Sequence, residues 1–114
     1  MSNIRNQLFV SYFKHIQKWA HGVAVDKGFW DVDRNDGELL ALIHSEISEA
    51  LEALRKNVAH DKHLPQYTGV EVELADAVIR IMDMAQRRGY NLADAIVDKI
   101  EFNKTREHKH GKKF

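Results

Sequence analysis

Residues 70–88, VEVELADAVIRIMDMAQRR, constrain this chain's fold more than any other stretch. Placed at about 100° per residue on a helix, Val70, Leu74, Ala77, Val78, Ile81 and Met84 form one apolar stripe. Val72, Ala75, Ile79 and Met82 form a second on nearly the opposite side. A helix apolar on two faces is expected to be mostly buried. Glu73, Asp76, Arg80 and Asp83 fall in the seam between the stripes. Carboxylates in such a seam are costly to bury unless they meet cations or a metal. The fold must therefore cover two apolar faces and still supply a partner for acids.

The rest of the chain also reads at helical period, and its one proline and six glycines break it only lightly. A first helix is expected over about 3–27, with Ile4, Leu8, Tyr12, His15, Ile16 and Trp19 at spacings of three and four. The turn-rich DKGFWDVDRNDG (26–37) follows, with Gly28 and Gly37 as its breaks. A second helix covers about 38–57, a polar loop 57–69 surrounds Pro65, and the third helix spans about 70–88 and ends at Gly89. Asn91 is placed to cap a fourth helix over roughly 92–106. No stretch alternates at strand period for long enough to build a sheet. The expected architecture is a single all-α domain over 1–114, with a basic tail from about 107.

On the second helix, Leu40, Ile43, Ile47, Leu51 and Leu54 cluster into an apolar stripe. Glu46 lies about a quarter turn from its centre, Glu49 further round, and Glu52 toward solvent. A solvated charge face usually lies opposite the stripe, so Glu46 at the boundary is unusual. Two helices thus offer paired acids, ExxE at Glu46 and Glu49 and ExxD at Glu73 and Asp76. Packed antiparallel, they would bring four carboxylates to one space suited to a hard divalent cation. Mg²⁺ takes oxygen ligands, keeps several waters and binds one or two carboxylates together with substrate phosphates.

Charge and composition narrow the classes. Acidic and basic residues balance at 17 each, which does not suggest a nucleic-acid partner. Residues 99–114 nevertheless hold six Lys/Arg against two Glu, so a basic end follows an acidic body. The absence of cysteine excludes disulfides, thiolate zinc sites and thiol nucleophiles. No apolar run approaches the roughly 20 residues of a membrane span. The opening MSNIRNQLFVSYFKHIQKW lacks the apolar segment and cleavage site of a secretory signal. A soluble, cytoplasmic protein with no membrane partner is expected.

HSEISEALEAL (44–54) and ELADAVIRIMD (73–83), with residues 50–72 between the two acid motifs, resemble the MazG-like all-α nucleoside triphosphate pyrophosphohydrolases. The closing KIEFNKTREHKHGKKF resembles the end of short members, where an Asn and basic residues follow the last helix. The likeness covers about 38–114, and the first helix more loosely. One departure stands out: many members carry a further Glu directly before the first motif Glu, where this chain has Ser45.

The resemblance implies a four-helix MazG-like bundle completed by homo-oligomerisation, as a dimer or tetramer. It implies cleavage of a (d)NTP, by preference a dNTP, between the α and β phosphates, serving nucleotide-pool housecleaning. The cofactor would be Mg²⁺, with Mn²⁺ as a substitute. Carried over residue by residue, Glu46, Glu49, Glu73 and Asp76 would be the metal ligands, and Glu49 would also act as the base. Asp83 has two readings, an additional ligand or a salt bridge with Arg80, the second being favoured. Lys99, Asn103, Lys104, Arg106, Lys112 and Lys113 would grip phosphates, although cations near a helix C-terminus also complement its dipole. Trp30, beside Phe29 in the first loop, either stacks on a base or closes the core. His44 reads as a core histidine; His60 and His63 lack the partners of a zinc site. The alternatives are a non-catalytic helical interaction protein or, among enzymes, a phosphoribosyl-ATP pyrophosphohydrolase or dUTPase-like relative.

Overall fold

The computed structural model describes residues 3–106 and 108, and within them every regular element is α-helical. The helices are α1 (Ile4–Asp26), α2 (Asp36–Arg55), α3 (Gly69–Arg88) and α4 (Leu92–Lys104). None is long and apolar enough to cross a membrane.

Local chemistry sets the ends. Asn3 and Asn35 accept the backbone N–H of Asn6 and Glu38, each at 2.8 Å, and so start α1 and α2. Gly37 is therefore not a break: it lies inside the first turn of α2, because Asn35 caps the helix earlier than the glycine would suggest. Thr68 and Glu71 form a reciprocal capping box at the start of α3. The Thr68 backbone N–H and hydroxyl hold the exposed Glu71 carboxyl below its ordinary value. Gly89, at φ +71°, ends α3 in the left-handed conformation that favours glycine. Asn91 precedes α4, but its side chain makes no capping bond, contrary to expectation. α4 closes at Lys104 rather than at 106, with Thr105 donating its hydroxyl to the Phe102 carbonyl at 2.7 Å.

α3 is the central element, packed on α2 and α1, while α4 leans on α1. Its pairing with α2 is antiparallel. Gly69 lies against Ala53, Arg80 reaches Glu46, and Arg88 bonds Asp36. α1 also runs antiparallel to α3, since Gln17 meets Gln86 and His21 meets Asp83. The α2–α3 connection turns back through Asn57, at φ +52°, so that the Val58 carbonyl accepts the Gly69 N–H at 2.9 Å.

That return leaves no room at Gly69. A Cβ there would lie 2.8 Å from the Val58 Cβ and 3.2 Å from the Ala53 Cβ. Both neighbours are fixed to backbone, so relief requires the loop to shift. Gly69→Ala is expected to lower stability by about 1–3 kcal/mol, read from the midpoint of urea unfolding. An unchanged midpoint would show that the loop yields freely.

The single chain covers its apolar faces poorly. The buried apolar residues are Leu39, Ala50, Ala77, Met82, Met84, Ala85 and Ala93, mostly alanines. Leu74, Val78, Ile79 and Ile81 of α3 are exposed, so the expectation that this helix is mostly buried fails within one chain. α1 exposes Leu8, Tyr12, Ile16, Trp19 and Val23 along one stripe. The radius of gyration is 16.5 Å, against roughly 13 Å for a compact domain of about this length.

Candidate metal centre

The antiparallel crossing of α2 and α3 brings Glu46, Glu73 and Asp76 together. Each offers an oxygen, and these oxygens lie within 4.8 Å of one another. Asp76 follows Glu73 by three residues, so one face of α3 presents both. Glu46 enters from α2 with its side chain largely covered (14% exposed).

The acids interact strongly. The Glu73 carboxyl is pushed above its ordinary value, first by burial and then by the charges of Asp76, Glu46 and Glu49. The Asp76 carboxyl is also raised, by burial first and then by Glu46, with Arg80 opposing the shift. Arg80 donates its Nε–H to Glu46 Oε1 at 2.8 Å. The salt bridge expected between Arg80 and Asp83 is thus replaced by one across the helix pair. Glu73 has no such cation among the described residues.

Glu49, one turn from Glu46, is exposed and contributes charge at Glu73 without joining the three converging oxygens. Glu52 faces solvent and pairs with Lys56 at 3.5 Å. No sequence signal pointed to Asp61, whose charge adds to the field on Asp76. It sits in the α2–α3 loop, where its carboxylate accepts the His63 and Leu64 N–H groups, both at 2.9 Å. Those two bonds hold its own carboxyl below the ordinary value.

Asp83 belongs to a different cluster. It is 6% exposed, and its Oδ1 accepts the His21 Nδ1–H at 2.6 Å and the Trp30 Nε1–H at 2.9 Å. Trp30 is half-buried, with its ring edge-on to Phe29 and the Arg87 guanidinium 4.7 Å from its centroid. Arg34 stacks over Phe29 at 3.9 Å and donates its Nε–H to the Phe29 carbonyl at 2.8 Å. Asp83 and Trp30 thereby tie the first loop to α3. His44 is exposed rather than in the core.

The described residues of the basic end stand on or just past α4, which packs on α1, while the acids stand between α2 and α3. Their contacts are local. Lys104 pairs with Glu101 at 3.1 Å, and Lys99 and Arg106 approach the Phe102 ring at 4.8 and 5.9 Å. Asn103 is exposed in the last turn of α4. Lys112 and Lys113 lie outside the described residues.

Three close carboxylates without a full complement of cations fit a hard divalent ion by donor chemistry. Compared with protein-family models, curated proteins and solved structures, the chain matches none of them.

Proposed function

We propose that this chain is a Mg²⁺-dependent nucleoside triphosphate pyrophosphohydrolase of the MazG-like kind, cleaving a (d)NTP to the monophosphate and pyrophosphate. The observation that carries the reading is the meeting of Glu46, Glu73 and Asp76 from an ExxE and an ExxD on antiparallel helices. Glu46, Glu73 and Asp76 would hold the ion, with Glu49 as a further ligand. Once bound, Mg²⁺ would lower the pKa of a water and offset charge on the phosphate oxygens. Glu49, one turn along α2, would take the proton of the water that attacks the α-phosphorus as the bond to the β-phosphate breaks. Arg80 would hold Glu46 in place, and the basic end with Asn103 and Arg106 would meet the phosphates.

The same reading includes self-association. Apolar grooves run from Ile16, Trp19 and Val23 on α1 to Ile79 on α3, and onward past Val78 and Leu74 to Tyr67. Asp76 lines the second groove, so a subunit seated there would stand next to the acids and could present its own basic end. The exposed apolar stripe also supports the second reading, a non-catalytic helical interaction protein. The raised carboxyl of Glu73, with no cation paired to it among the described residues, favours the metal site over it.

The test is incubation with each common NTP and dNTP plus Mg²⁺, with products separated by chromatography. Monophosphate and pyrophosphate are expected, with deoxynucleotides preferred. Including dUTP and phosphoribosyl-ATP separates the related enzymes. Absence of turnover on the whole panel would promote the interaction-protein reading.

A further inference from the structure

α1 carries an apolar stripe on a side that the rest of the chain leaves exposed, formed by Leu8, Tyr12, Ile16, Trp19 and Val23. At about 100° per residue, Arg5 and Asp26 fall on that same side, one before the stripe and one after it. They are the only Lys, Arg, Asp or Glu of α1 to do so. Along its length the stripe therefore reads cation, apolar seam, anion.

Both charges are misplaced for a lone helix. A helix N-terminus favours acids, and a C-terminus favours cations. Arg5 stands in the first turn of α1, which holds no acid, and Asp26 is the last residue of a final turn that holds no base. Both are exposed, and neither enters an ion pair among the described residues. A fitting partner presents an anion to Arg5, a cation to Asp26 and an apolar strip of the same length between them. A second copy of the stripe, running the other way, has all three.

We propose that α1 docks antiparallel on α1 of a second copy, about a two-fold axis close to His15 and Ile16. This specifies the self-association of the proposed function and does not depend on its chemistry. In that register Arg5 faces Asp26 of the second copy, Leu8 faces Val23 and Tyr12 faces Trp19, and symmetry makes each contact twice. Arg5 then also lies beside the C-terminal end of the neighbouring helix, and Asp26 beside its N-terminal end, where the dipole favours each. A parallel pairing sets Arg5 against Arg5 and Asp26 against Asp26, which the charges oppose. The groove of about 360 Å³ walled by Trp19, Val23 and Ile79 receives Leu8 and Tyr12 of the second copy. Tyr12 and Trp19, each about two-thirds exposed, alone cover roughly 300 Å² of the ~800 Å² that each partner gives to a stable interface. Leu8, Ile16, Val23 and Ile79, each about half exposed, supply more.

The experiment is sedimentation equilibrium on the full chain, on its Arg5→Glu and Asp26→Lys variants, and on an equimolar mixture of the two variants. Each substitution moves charge in the direction the α1 dipole favours, so both variants are expected to fold, with helicity unchanged by circular dichroism. Each alone brings like charges together at both ends of the pair, and is expected to weaken self-association at least about fivefold. Mixed, one copy of each variant meets the other with opposite charges at both ends. The mixture is therefore expected to regain the parent's affinity as a heterodimer. No loss in either variant, or no recovery in the mixture, would overturn the antiparallel pairing while leaving self-association and turnover standing. A parent that stays monomeric at every concentration would overturn it together with the homo-oligomer, and the nucleotide panel would still read the hydrolase by itself.

Discussion

Glu73→Gln is expected to remove at least about 100-fold of the turnover, and to make the metal-free protein more stable than the parent at neutral pH. The loss of rate follows from its place among the converging oxygens. Even partners that merely support a metal ligand are worth about 10–100-fold. The gain in stability follows from the direction of its pKa. Burial and the charges of Asp76, Glu46 and Glu49 raise the folded carboxyl above its ordinary value of 4.5. Between that ordinary value and the raised one, the folded protein binds more protons than the unfolded chain, so stability falls as pH rises. Above the raised value the destabilisation is complete, and Gln, which never ionises, escapes it. Asp76 follows the same sign from 3.8, moderated by Arg80.

Mg²⁺ should reverse the parent's deficit. A ligand at about 100 times its Kd stabilises the folded state by about 2.7 kcal/mol, and Glu73→Gln should forfeit most of that gain. Thermal melts with EDTA and with Mg²⁺, repeated from pH 4 to pH 8, check both signs. A parent melting point that ignores Mg²⁺ would count against the metal site. A Glu73→Gln protein less stable than the parent without metal would show that the acid is solvated or paired in the fold.

Trp19→Asp is expected to convert an associated protein into a monomer. Trp19 is 68% exposed in the single chain, on the α1 stripe with Leu8, Tyr12, Ile16 and Val23. Contiguous exposed apolar surface of this kind marks an interaction site, and a symmetric dimer is the commonest way to bury it. A buried tryptophan at the centre of an interface contributes at least about 2 kcal/mol, roughly a 30-fold change in dissociation constant. Asp adds the cost of desolvating an unpaired charge. Sedimentation velocity over a concentration series reads the change directly. A monomeric parent at every concentration would end the homo-oligomer proposal. An unchanged oligomer in the variant would move the interface off α1.

The candidate site was half legible in the sequence because helical periodicity is local. It places Glu46 at the edge of the α2 stripe and Glu73 and Asp76 on one face of α3, and the structure brings these three together. The same local rule placed the four helices and the stop at Gly89. It erred at Gly37, where Asn35 starts the helix earlier, and at Asn91, whose side chain makes no cap. Those outcomes depend on side-chain geometry rather than on residue type.

What periodicity lacks is the relative rotation and offset of packed helices. Arg80 pairs with Glu46 rather than with Asp83, three residues away on its own helix, because the crossing of α2 and α3 brings Glu46 within reach. Asp83 instead faces α1 and accepts from His21 and Trp30, groups 62 and 53 residues distant in sequence. The sequence alone determined which residues share a helix face, since 3.6 residues per turn fix their angles. Only the tertiary structure decided which faces meet, since that choice depends on how side chains of distant segments pack against one another.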